Sequence, residues 1–168
     1  MASFVRTVLA ATALVLWLSP LAASETLPHV DLVIVEKAAR RMMLMSGTET
    51  LRTYDIALGD NPVGHKQREG DERTPEGRYV LDWRNPDSAF HRSIHISYPD
   101  EADRAAAAAA GYSPGGDIMI HGQPNGFGWW SWLLQRVDWT DGCIAVTDAE
   151  MDEIWDMVAN GTPIEIRP

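Results

Sequence analysis

The chain has 168 residues, with 14 basic and 24 acidic side chains and a formal charge of −10 at pH 7. Such an acidic surface repels nucleic acid and anionic lipid alike, so neither is expected as a partner. The single cysteine, Cys143, excludes an internal disulfide framework.

Residues 1–24 read as an export signal. Arg6 gives a short positive start, Val8 to Leu18 an apolar run, Pro20 a break, and Ala22, Ala23 and Ser24 a small-residue cleavage site. The apolar run, about 11 residues, is too short for a spanning helix of roughly 20, so no stable membrane anchor is expected. No cysteine follows the small residues, which removes the attachment point of a bacterial lipoprotein. Cleavage would leave residues 25–168 as one domain, long enough to bury a core, in the periplasm or secreted. Loss of Arg6 leaves 13 basic against 24 acidic residues, a net charge near −11.

Strands come first. Asp31 to Lys37 alternates in hydrophobicity, Arg41 to Met45 is a second apolar run, and the turn Ser46-Gly47-Thr48 leads into Leu51 to Leu58. These three predict an antiparallel meander. Gly59 to Glu76 is rich in glycine and proline and predicts a long loop of the kind that carries function. Lys66, Arg68, Arg73, Arg78, Arg84 and Arg92 crowd the stretch that begins there, either as a solvated face or as a carboxylate-binding rim. Arg78 to Trp83 and Ser93 to Tyr98 resume strand character.

Two helices follow. Asp100 can cap Glu101 to Ala110, whose alanine run has high helix propensity and which Gly111 ends. Thr147 and Glu150 stand in capping-box spacing ahead of Met151, Ile154, Trp155 and Val158, the interval of one buried face. Thr162 to Arg167 is a closing strand.

The chemistry gathers between Asp117 and Val146. Asp117 to Ile120 is a short apolar strand that runs into His121-Gly122, and Gly142-Cys143 opens a second, Ile144 to Val146. Were these strands neighbours, thiol and imidazole would meet. Only a thiolate attacks carbonyl carbon, and an unperturbed cysteine has a pKa of about 8.5. An adjacent imidazole can take the proton and hold the thiolate as an ion pair, and the glycine before Cys143 lets backbone N–H groups aim at a developing oxyanion. An exported chain with one thiol and no partner for it points the same way.

His121-Gly122 followed by Thr140-Asp141-Gly142-Cys143-Ile144 resembles the signature of the L,D-transpeptidase (YkuD-type) catalytic domain family, a histidine-glycine pair ahead of a Ser/Thr-x-Gly-Cys-Ile/Val box. Gly70 to Tyr79, Arg84-Asn85-Pro86, Phe90-His91 and Ile96-Ser97-Tyr98-Pro99 also resemble stretches common in that family. The resemblance implies a mainly β fold, a β-rich sandwich with a few short helices, and peptidoglycan stem peptides as substrate. It makes Cys143 the nucleophile, His121 the proton acceptor and donor, Gly122 a backbone partner of imidazole or substrate, and the N–H groups of Gly142 and Cys143 the oxyanion hole. Thr140, Asp141, Arg73 and Trp130 are the expected substrate contacts. No cofactor is implied.

The implied reaction is attack on the diaminopimelate carbonyl of a stem tetrapeptide, loss of D-alanine, and transfer of the acyl group to an amine. A second stem as acceptor gives a cross-link; an outer-membrane lipoprotein as acceptor gives a tether. Two departures bear on this. Ala145 stands where many members have arginine, and Asp141 where histidine is frequent. A missing cation weakens carboxylate binding, so hydrolysis of stem or lipoprotein linkages by the same machinery is the alternative to transpeptidation. His91 and His95 raise a metallo-hydrolase, but no third ligand and no His-Glu-x-x-His run accompany them, so no metal is expected. A wall-binding module without catalysis would tolerate Cys143→Ala. The insert with Phe127, Trp129, Trp130, Trp132 and Trp139 predicts a short helix, Trp129 to Gln135, packed on the core, or else a lid over the substrate.

Overall fold

Among the described residues, short alternating runs form eight strands, β1 (Leu32–Glu36), β2 (Arg41–Ser46), β3 (Glu49–Asp55), β4 (Gly77–Asn85), β5 (Ser93–Ile96), β6 (Met119–His121), β7 (Ile144–Ala145) and β8 (Thr162–Arg167). The computed structural model describes residues 29–168, so the expected export signal lies outside the described residues. All eight strands join one sheet in the order β3-β2-β1-β8-β4-β5-β6-β7. The predicted meander is its first edge, with β1, β2 and β3 antiparallel. β1 lies between β2 and β8, and Val33, Ile34 and Val35 are all buried, as a strand covered on both faces requires.

The third strand ends earlier than its apolar pattern predicts. Beyond Asp55 the chain leaves β2, and Ala57 exchanges two hydrogen bonds of 2.9 Å with Ala145 in β7. Gly59 then bridges Thr140. The segment that follows one edge of the sheet therefore binds the opposite edge strand, and the sheet curls back on itself. The two walls of the expected sandwich are facing parts of this single curled sheet. Between them lie Met42, Leu44, Leu81, Ile96, Ile120 and Ile144, all essentially inaccessible.

Helix α1 (Glu101–Ala109) is capped by Asp100, which accepts from Asp103 N while the Asp103 side chain accepts from Asp100 N. It buries only Ala107 and rides on the surface. Helix α3 (Asp148–Met157) has the predicted capping box of Thr147 and Glu150 and buries Met151 and Ile154. The aromatic insert departs from the helix predicted for it. It forms a 3-10 turn (Gly128–Trp130) and a single turn of helix, α2 (Ser131–Leu134). Its rings face outward, Trp129 at 71% and Trp132 at 62% exposure. Packing on the core is overturned, because the core beside β6 and β7 is already filled by Ile120, Ile144, Met151 and Ile154. No helix among the described residues is long and apolar enough to cross a membrane.

One buried cation organises the long loop between β3 and β4. Lys37, at 2% exposure, donates to Gly64 O (2.7 Å), Thr74 O (2.9 Å) and Glu76 Oε1 (2.8 Å). All three ammonium protons are thus satisfied. Burial holds its pKa below the ordinary lysine value even though Glu76 opposes the shift. Removing one partner of a buried pair leaves the other charge uncompensated. Lys37→Met is therefore expected to cost about 3–5 kcal/mol in denaturant unfolding, and Lys37→Met with Glu76→Gln should recover much of it. A loss below about 1 kcal/mol, the level of a surface pair, would show that the loop is held by other contacts.

Candidate active site

β6 and β7 run parallel, with Ile120 opposite Ile144 and His121 opposite Ala145. Cys143 immediately precedes β7 and so falls opposite Met119, whose N–H donates to Sγ at 3.4 Å. Side chains alternate along a strand, so Cys143 and His121 share one face of the pair. Both line the same cavity, about 270 Å³ in volume, together with Phe90, Trp139, Asp117 and Asp141.

The imidazole is fixed from every side. His121 is 4% exposed, and its Nδ1 lies 2.7 Å from Gly122 O. A carbonyl only accepts, so Nδ1 carries the proton and neutral His121 presents an unprotonated Nε2. Phe90 lies against the ring at 4.7 Å between centroids and Trp139 meets it edge-on at 5.8 Å. Gly122 N–H donates to Phe90 O at 3.1 Å. A side chain at Gly122 would put its Cβ 2.7 Å from Asp148 Oδ1, so only glycine fits. That same Oδ1 accepts from Gln123 N at 2.7 Å, which anchors the His121 loop to the start of α3.

The thiol sits on a turn built from its own neighbours. Thr140 Oγ1 donates to Cys143 O (2.7 Å) and accepts from Gly142 N (3.2 Å), while Thr74 Oγ1 donates to Gly142 O (2.9 Å). Gly142 has φ +121°, and a Cβ there would meet Arg73 O at 2.5 Å. Both observations demand glycine. Thr140 is buried with its hydroxyl engaged in the turn, and it also lines the thiol cavity. One expectation is corrected here. Gly142 N–H is engaged by that hydroxyl and is not free for an oxyanion.

The other expected contacts separate. Asp141 is exposed on the rim of the thiol cavity. Arg73 touches the Gly142 turn through its backbone and lines a neighbouring cavity, with its guanidinium beside Gly64. Trp130 does not line the thiol cavity; Trp139, from the same insert, does. Phe90 enters the sequence pattern only through the Phe90-His91 stretch and Asp117 only as the start of a strand, neither as a site residue: β5 pairs with β6, setting Ser93 opposite His121, and only that pairing draws the Phe90 segment to the ring. His91 and His95 bind separate acids, Asp152 at 2.8 Å and Asp82 at 2.6 Å. Among the described residues no three His, Cys, Asp or Glu side chains form a metal-binding cluster.

Residues 31–166 match the L,D-transpeptidase catalytic domain (YkuD) family. The chain belongs to that family. It is 34% identical over 113 residues to YafK of Escherichia coli (strain K12), whose L,D-transpeptidase designation is provisional, covering 66% of this chain and 38% of YafK. The fold superimposes on the helical cell shape determining protein Pgp2 of Campylobacter jejuni with a TM-score of 0.62 and 25% identity, covering 82% of this chain and 47% of that one. An L,D-transpeptidase of Mycobacterium smegmatis shares the fold at a TM-score of 0.54 and 15% identity, over 82% of this chain and 58% of that one. The chain spans less than two thirds of the length of each of these relatives.

Electrostatics alter the resting state expected of such a dyad. Burial pushes the Cys143 thiol up, with Asp141 and Asp117 adding to the shift and the Met119 N–H and Lys66 opposing it. Burial likewise pushes His121 down, and the Gly122 carbonyl offsets this only in part. Desolvation of both groups thus works against the ion pair expected from sequence and toward neutral thiol beside neutral imidazole. Alkylation of Cys143 by iodoacetamide should consequently be slow at neutral pH and climb through the alkaline range toward a midpoint above the ordinary thiol value. A rate already at its plateau between pH 6 and 8, approximately the window of an ion-paired thiolate, would restore the ion pair.

Proposed function

We propose that this protein is an exported peptidoglycan L,D-transpeptidase that works through a Cys143 thioester, with residues 25–168 as its single catalytic domain. The observation that carries the reading is the sharing of one face and one cavity by thiol and imidazole on adjacent parallel strands. Substrate entering the cavity displaces water and brings a carbonyl over Sγ. His121 Nε2 takes the thiol proton as sulfur attacks the diaminopimelate carbonyl, so charge forms only when there is an electrophile to receive it. The Cys143 N–H has no acceptor among the described residues and is the backbone donor left for the oxyanion. Collapse breaks the bond to D-alanine, whose amine leaves with the proton held by His121. An amine then attacks the thioester, His121 taking its proton, and the thiol is regenerated.

The acceptor would be a second stem peptide or an outer-membrane lipoprotein, and the process wall synthesis or remodelling in the periplasm, with cell shape as its outcome. Hydrolysis is the second reading, favoured by one observation. Ala145 is fully buried against Ala57, and among the described residues no lysine or arginine lines the thiol cavity to hold an acceptor's carboxylate.

Incubation with disaccharide tetrapeptide, read by mass spectrometry, separates the outcomes. Dimers lacking D-alanine mean cross-linking, tripeptide alone means hydrolysis, and neither product with wild-type protein would reject the enzyme. Cys143→Ala should abolish adduct and product, and His121→Ala should lower the rate about 10²–10⁴-fold, the range of a positioned general base. Trp130, 41% exposed, tests the lid. Trp130→Ala should reduce turnover while shifting unfolding free energy by less than about 0.5 kcal/mol, as for surface sites; unchanged turnover would remove the lid.

A further inference from the structure

The crowded basic stretch resolves into two kinds of residue. Lys66 pairs with Asp71 at 2.9 Å, Arg78 with Glu165 at 3.4 Å and Arg92 with Asp152 at 3.2 Å. Arg84 donates to the carbonyls of Trp155 and Val158 and lies over the Trp155 ring at 4.4 Å. Arg68 and Arg73 remain, with no carboxylate partner among the described residues. Arg68 lies over Tyr112 at 5.2 Å, and Arg73 Nε is buried with no hydrogen-bond partner. Both line one polar cavity of about 520 Å³, with Asn61, Gln67, Asp71 and Glu72.

The acids of that cavity do not cancel it. Asp71 is compensated by Lys66 and accepts from the N–H groups of Gln67, Arg68 and Arg73. Glu72 is exposed and is the one carboxylate left against two guanidinium groups. Lys37 lies close enough to Arg73 to feel its charge, which makes an anion there more favourable still. Within so acidic a chain this is a positive recess.

It also adjoins the thiol. Arg73 O packs on Gly142, and Thr74 Oγ1 holds Gly142 O. The segment from Tyr112, in this cavity, leads to Asp117, whose carbonyl receives the Sγ–H at 3.6 Å. The two cavities have separate linings, and the Arg73–Thr74 segment, packed on the Cys143 turn, connects them. The thiol cavity is lined by Asp117 and Asp141 and, among the described residues, by no lysine or arginine, so it disfavours a carboxylate, whereas Arg68 and Arg73 line the other cavity.

We propose that the Arg68–Arg73 cavity is a carboxylate subsite, holding a free carboxylate of the peptide whose neighbouring carbonyl Cys143 attacks. It rests on the peptidoglycan reading above. Guanidinium forks match the two oxygens of a carboxylate, and the Asn61 and Gln67 amides can supply further donors. This places the missing cation of the Gly-Cys-Ile box on a different segment of the chain.

The test compares tetrapeptide with two singly amidated forms, one blocked at the side-chain carboxylate of diaminopimelate and one at the terminal D-alanine. Blocking the carboxylate that occupies the subsite should lower wild-type kcat/KM about 10- to 100-fold, chiefly through KM, the range of a charge-assisted hydrogen bond. Arg73→Gln and Arg68→Gln should lose a similar factor on free tetrapeptide, with no further loss on that amide, and Arg73→Lys should recover part. Iodoacetamide reactivity of Cys143 and the melting temperature report whether the turn is intact. Equal losses on free and amidated peptides, or no loss, overturn the subsite while leaving the enzyme standing. If wild-type protein turns over no peptide, the enzyme reading fails instead. Calorimetric binding to Cys143→Ala protein then decides the subsite: preference for a free carboxylate, lost in Arg73→Gln, supports it, and equal affinity overturns it.

Discussion

The parallel pairing of β6 with β7 is the contact on which the site depends. β7 contributes only two residues to the ladder, too few to hold by themselves, and is kept in place by neighbours on both sides. His121 O takes the Val146 N–H from one side, and Ala57 exchanges two bonds with Ala145 on the other. The Thr140 and Thr74 hydroxyls then fix the turn that delivers Cys143. Thr74 O is itself tied to Lys37. A buried lysine in the loop after β1 thus connects, through Thr74, to the backbone that carries the sulfur, and the close contacts at Gly122 and Gly142 leave neither loop room to shift.

Such rigidity has an electrostatic purpose. A dyad already ionised in a half-buried cavity would have to stabilise two charges with few donors, since the wall offers aromatic rings and two carboxylates. Keeping both groups neutral avoids that cost and leaves the thiol less exposed to oxidants, whose target is the thiolate. The Gly122 carbonyl fixes the tautomer, doing what a carboxylate does in other triads without adding negative charge beside the sulfur. In the proposed reaction, proton transfer is coupled to the arrival of a carbonyl.

Charge and apolar surface are divided among separate places around this centre. Acids rim the thiol, guanidinium groups gather in the adjoining recess, and the aromatic insert stands out beyond Trp139. An extended peptide with carboxylates, amines and a sugar at one end presents those same kinds of group. The replacement of arginine by Ala145 is consistent with this division. Ala145 is fully buried, with its backbone bonded to Ala57.

The linear order of residues was sufficient for what depends on near neighbours: the strand alternation, the two capped helices, the glycines flanking histidine and cysteine, and the nomination of Cys143 with His121. Each of these follows from backbone preferences and side-chain periods that act within a few residues. Tertiary structure decided the rest. The third strand leaves its ladder at Asp55 because Ala57 finds a better partner in Ala145, far along the chain. Trp139 faces the imidazole while Trp129 faces solvent, although both belong to one aromatic-rich stretch. Of six crowded cations, Arg68 and Arg73 have no side-chain bond to a carbonyl or carboxylate among the described residues. Burial pushes the thiol up and the imidazole down, against the ion pair that adjacency alone suggests, because both shifts depend on how much water the folded walls exclude. Burial and long-range pairing are sums over the whole chain, and no local pattern contains them.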